Sequence, residues 1–122
     1  MLISFEEAAQ TLNNQDIVAI PTETVYGLAA RIDSEQALKK IFATKKRPFF
    51  DPLIVHISNL EMAKSLVLHW PTAATKLAQA FWPGPLTIIL PKNNLLVSDL
   101  ITSGLPNVGL RMPKHEITLK LI

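Results

Sequence analysis

The chain has 122 residues, enough for one domain with its own core. Hydrophobic residues make up 48% and charged residues 18%, which excludes a disordered chain, and the absence of cysteine excludes disulfides, cysteine–zinc sites and thiol catalysis while fitting a cytosolic compartment. The net charge is only +2, so any affinity for polyanions has to come from local clustering. No apolar run approaches the ~20 residues that span a bilayer. The segment Met1 to Glu7 lacks the basic and apolar regions of a signal peptide.

Ser4-Phe5-Glu6-Glu7 has capping-box spacing and predicts a helix from Phe5 to Leu12, with Phe5, Ala8, Ala9 and Leu12 on one face. Asp16 to Ile20 reads as a strand stopped by Pro21. Pro21 to Leu28 has no clean period and reads as a loop carrying the hydroxyls of Thr22, Thr24 and Tyr26. A second helix begins near Asp33 or Ser34, with Gln36 completing a box, and ends before Pro48. Leu53 to Ile57 is apolar almost throughout and predicts a central strand covered on both faces.

Ser58-Asn59-Leu60-Glu61 caps a third helix, and Pro71 opens a fourth that runs to Phe81. Trp82-Pro83-Gly84-Pro85 forces a turn, with Phe81 and Trp82 expected in the core, and Leu86 to Leu90 makes a strand. Lys92 to Leu105 reads as a looser stretch, Val108 to Met112 as a last strand, and Pro113 to Ile122 as the opening of a helix. Strands alternating with helices indicate an α/β layer fold without internal repeats. The chain stops among Ile117, Leu119, Leu121 and Ile122, so a polypeptide shorter than its natural domain is expected.

Five of the nine residues from Lys39 to Arg47 are cationic, and no acid interrupts them. Lys39 and Lys40 read as a wet helix face. Lys45 and Arg47 stand at the helix end before Pro48, where a point charge and a planar fork suit a polyphosphate. His56 lies inside an apolar strand, either as a core histidine or at a site. His69 and His115 have no ligand spacing and are expected at the surface. In open α/β sheets ligands bind beyond the carboxyl ends of strands, which marks Thr22, Thr24 and Tyr26; turn chemistry explains the same residues equally well. Glu23 is weak as a base on its own. Thr87 starts a strand and is a ligand candidate. Arg111 is a charge inside an apolar strand; such a charge is paired or binds an anion, a substrate carboxylate being one candidate. The glycines are scattered, so no phosphate loop or dinucleotide fingerprint can be drawn.

Taken in order, the segments PTETVYGLAA from Pro21, IFATKKRP from Ile41, DPLIVHI from Asp51, FWPGPLTIIL from Phe81 and VGLRMP from Val108 resemble the YrdC/Sua5 family of threonylcarbamoyl-AMP synthases. The resemblance spans residues 18–113. It implies an open, twisted mixed α/β sheet with flanking helices, and residues 1–122 as a single YrdC-like domain lacking its C-terminal part. It also implies a nucleotidyl transfer in which L-threonine, bicarbonate and ATP, with Mg2+ on the triphosphate, give L-threonylcarbamoyl-AMP and pyrophosphate for the N6-threonylcarbamoyladenosine of tRNA. Carried over by residue, Lys45 and Arg47 would hold phosphates, with Asp51 beside them. Thr22, Thr24, Tyr26 and His56 would stand near the threonine, Thr87 by the nucleotide or the intermediate, and Arg111 at the amino-acid end.

Two departures accompany the resemblance. The family carries a Ser-x-Asn motif after a further helix and strand, and this sequence ends at Ile122 before it. Asp51 stands where many members have Asn, and a carboxylate there repels a triphosphate unless a metal or Lys45 offsets it. Both keep open an alternative: a non-catalytic module, binding double-stranded RNA or tRNA, or an inactive piece of the same fold. A carbamoyl-adenylate domain of hydrogenase maturation would bring zinc-finger cysteines, and none is present.

Overall fold

The hydroxyl of Ser4 accepts the amide of Glu7, and the Glu7 carboxylate accepts the amide of Ser4. This reciprocal cap starts helix α1, Phe5–Asn13, as the sequence predicts. The computed structural model describes residues 4–24, 26–46, 48 and 50–122. After α1, strands β1 (Val18–Pro21) and β2 (Tyr26–Ala29) form an antiparallel hairpin in the register Val18–Ala29 to Pro21–Tyr26. Ala8, Val18 and Ile20 make a small core beneath it, completed by Leu12, Ala29 and Leu121.

Helix α2 (Glu35–Lys45) follows, then β3 (Ile54–His56), α3 (Leu60–Ser65), α4 (Thr72–Phe81), β4 (Ile88–Pro91), α5 (Asp99–Thr102), β5 (Asn107–Arg111) and α6 (Glu116–Leu121). Strands β3, β5 and β4 form a second, mixed sheet in that order: β5 runs parallel to β3 and antiparallel to β4. Val55, Leu110 and Ile88 lie side by side on its inner face and join the main core with Ala63, Ala74, Ala78 and Ile101 from the helices. The alternate residues, Ile54, His56, Gly109 and Arg111, belong to the opposite face. Among the described residues no helix is long and apolar enough to cross a membrane.

Several expectations change. Tyr26 to Leu28 are strand rather than loop, because the chain turns back on itself after Pro21 and pairs Pro21 with Tyr26. Their period is hidden because the hairpin is only partly covered on either face. Strand β3 is an edge of the described sheet and β5 is its centre; Ile54 is accordingly half exposed. Ser34 is the cap of α2 and bonds the amide of Ala37, which leaves Gln36 one position short of completing a box. Within the Ser58–Glu61 segment it is Asn59 that caps α3, its side chain accepting the amide of Met62. Phe81 is exposed, whereas Trp82 is buried with its indole N–H donating to the carbonyl of Leu86. The looser stretch contains α5, capped by Ser98. His69 is exposed as expected, but His115 is half-buried at the start of α6.

The chain after β4 is anchored by Lys92, whose side chain is 3% exposed. Its ammonium lies 2.5 Å from the Asp99 carboxylate and 3.1 Å from the Thr102 hydroxyl. The pair is asymmetric, since the Asp99 side chain is 82% exposed. Asp99→Asn leaves a buried ammonium poorly compensated and is expected to cost about 1–3 kcal/mol. Lys92→Met leaves an aspartate that water solvates and is expected to cost less. Thermal unfolding of the two variants checks this, and the reverse order would refute it.

Candidate functional site

The hairpin turn carries two hydroxyls in contact: Thr22 Oγ1 and Thr24 Oγ1 are 2.9 Å apart, and the Thr24 amide donates to Thr22 Oγ1 at 3.2 Å. Such side-chain bonding is what Thr does in turns. Here it fixes both hydroxyls beyond the end of a strand. In the second sheet the parallel register sets His56 beside Arg111, one at the end of β3 and the other at the end of β5.

Arg111 is held on two sides. Its Nε donates to the carbonyl of Gly84 at 3.3 Å, and Nη2 approaches Glu23 Oε1 at 2.7 Å. Gly84 also donates its amide to the carbonyl of Met112, so the Trp82–Pro85 turn grips the end of β5 twice. A side chain at 84 would meet the carbonyl oxygen of Phe81 at 2.4 Å, which is why glycine stands there. The Glu23 and Arg111 side chains are 19% and 12% exposed. Burial pushes the Glu23 carboxyl up, but the Arg111 guanidinium and the backbone amides beside it outweigh that and hold it below the usual carboxylate range. Burial, then the Arg111 charge, lowers the pKa of His56, and its Nε2 is buried without a described partner. Both causes favour the neutral imidazole at His56.

These groups open into a cleft of about 900 Å3, at the upper end of the range for small-molecule sites. Its walls include apolar side chains such as Ile20, Leu28, Leu38 and Ile41. Thr22, Thr24, His56 and Arg111 line it, and so does Lys45, the last residue of α2. Lys46 closes that helix in the left-handed conformation, φ 51°. Five of the nine predicted site residues therefore share one cleft.

Tyr26, Asp51 and Thr87 are not among its lining residues. Tyr26 is largely exposed on β2. Asp51 is exposed just after the Pro48 turn. Thr87 directs its methyl group over Gly109, within 3.0 Å of where a Cβ would stand. Arg47 lies outside the described residues. Lys40 is exposed and paired with Asp16 at 2.9 Å, which agrees with a wet helix face. Among the described residues no group of three or more His, Asp or Glu side chains is placed to hold a metal.

The residue that sequence reasoning undervalued is Glu23. The signal was available: an acid between two hydroxyls in one segment, and an arginine inside an apolar strand in another, each in need of a partner.

Comparison with known proteins agrees with this architecture. Residues 10–122 match the Sua5/YciO/YrdC family model, described as telomere recombination, and the chain belongs to that family. It is 50% identical over 115 residues to the threonylcarbamoyl-AMP synthase of Pyrococcus abyssi, covering 94% of this chain and 34% of that protein. It is 45% identical over 116 residues to the enzyme of the same name from Bacillus subtilis, covering 95% and 34%. The solved structure of P. abyssi Sua5 complexed with L-threonine superposes with a TM-score of 0.93 at 47% identity, over 100% of this chain and 36% of that one. The chain thus spans about a third of the length of these relatives. The resemblance carried by the five motifs is borne out, as is the mixed α/β fold.

Proposed function

We propose that this chain carries the threonine and ATP sites of a threonylcarbamoyl-AMP synthase. L-threonine, bicarbonate and ATP would yield L-threonylcarbamoyl-AMP, pyrophosphate and water, a nucleotidyl transfer that supplies tRNA modification in the cytoplasm. The observation that carries the reading is the shared cleft, with hydroxyls, a neutral imidazole and a guanidinium at the Thr22–Arg111 side and the Lys45 ammonium at the end of α2. Threonine needs an acceptor for its ammonium or hydroxyl, which His56 Nε2 offers. Lys45, with Arg47, balances charge developing on the departing pyrophosphate. Mg2+ enters with the triphosphate, as part of the substrate. Holding three reactants in line supplies most of the rate, and no covalent nucleophile is called for.

The test is to incubate the chain with ATP, labelled bicarbonate, L-threonine and Mg2+ and to measure pyrophosphate and labelled adenylate. Lys45→Ala is expected to weaken ATP binding about tenfold with an unchanged circular-dichroism spectrum. Unchanged ATP affinity would refute the phosphate role. No product, together with tRNA binding that falls steeply with salt, would replace the enzyme reading by the RNA-binding one.

A further inference from the structure

The two sheets share no ladder hydrogen bonds among the described residues, so side chains and loops set the hairpin turn against the β3–β5 edge. Glu23 is central to that attachment. One carboxylate oxygen pairs with Arg111 at 2.7 Å, and the other accepts the amide of Lys114 at 3.2 Å. On the other side of the turn, buried Thr118 of α6 donates its hydroxyl to the carbonyl of Pro21. Glu23 stands between the two hydroxyl residues that line the cleft, and its partner is the guanidinium that lines it opposite.

We infer that Glu23 is a positioning residue of this site: its carboxylate ties the Thr22–Thr24 turn to the end of β5, and the two hydroxyls are set against His56 and Arg111 only while that tie holds. The inference rests on the reading of the cleft as a threonine site. It also accounts for an arginine inside a strand: Arg111 is fixed at both Nε and Nη2 before any ligand arrives, so little of its rotamer freedom is left to lose on binding. Glu23 does not touch the reacting atoms in this account. The carboxylate also acts on its neighbour, since Glu23 favours the charged form of His56 while Arg111 opposes it.

The experiment compares the wild-type chain with Glu23→Ala and Glu23→Gln. Calorimetry reads L-threonine affinity, and nuclear magnetic resonance reads the Thr22 and Thr24 amides and the His56 titration midpoint. Glu23→Ala is expected to weaken L-threonine about tenfold and to shift both amides. Glu23→Gln keeps shape and an acceptor, and recovers part of the affinity. The His56 midpoint falls in both variants, a change that loss of packing alone would not produce. Affinity within twofold of wild type with unmoved amides overturns the inference. If the alanine variant does not fold, the glutamine variant carries the same measurements. If the wild-type chain binds no threonine, the function reading fails separately. The amides then still decide: moved, they support the tie; unmoved, they overturn it.

Discussion

Replacing Arg111 with methionine is expected to weaken L-threonine binding about a hundredfold or more, because a nearly buried, pre-positioned charge is lost from the cleft. Methionine keeps much of the apolar stem, so packing on the sheet face changes little. The guanidinium contributes in three ways. It bonds the Gly84 carbonyl, it pairs with Glu23, and it disfavours protonation of His56 beside it. Without it, burial acts on Glu23 with the backbone amides alone to oppose it, and its carboxyl titrates at higher pH. Arg111→Lys keeps the charge but has no planar fork to satisfy Gly84 and Glu23 together, and recovers only part of the affinity. Calorimetry against L-threonine with circular dichroism as the fold control checks the series. An Arg111→Met variant that binds within threefold of wild type would remove Arg111 from the site.

The local signals were legible where backbone chemistry is local. Ser4 and Glu7 announce α1 because both partners of the cap lie within one turn, and Pro71 marks the start of α4 because its restricted backbone suits a helix entry, where it stands at the N-cap without a side-chain bond. The hairpin was not legible. Thr22 and Glu23 read as loop residues, and the pairing of Pro21 with Tyr26 has no alternation to betray it. The rank of β3 in its sheet was also hidden: an apolar run indicates burial, but Ile54 faces the open side of an edge strand. Of the site, the cations and hydroxyls were visible as residue types, and Lys45, His56 and Arg111 converge on one cleft. What linear reading cannot supply is a contact between positions far apart in the chain. The Glu23–Arg111 pair is such a contact, and it decides how the turn meets the sheet.

Leu110→Ala is expected to produce the largest loss of stability, about 3–4 kcal/mol, with a fall in Tm of about 10–15 °C for a chain of this size. Leu110 is fully buried on the central strand, with Val55 and Ile88 as its neighbours on either side. The surrounding backbone is fixed by both ladders and cannot collapse into the space left behind, so the cavity cost adds to the lost burial. That is a large share of the roughly 5–15 kcal/mol that holds a domain of this kind together. The next residue, Arg111, points to the opposite face, because successive side chains alternate across a strand. Two adjacent substitutions should therefore separate cleanly. Leu110→Ala lowers Tm while the folded fraction keeps its L-threonine affinity, and Arg111→Met weakens that affinity about a hundredfold, its own fall in Tm coming from the Glu23 carboxylate left without its guanidinium. Thermal melts and calorimetry on the same preparations measure both. A Leu110→Ala variant that melts within about 3 °C of wild type would show that β5 is not the centre of the core. Loss of affinity in its folded state would show that the two faces of the sheet are coupled rather than independent.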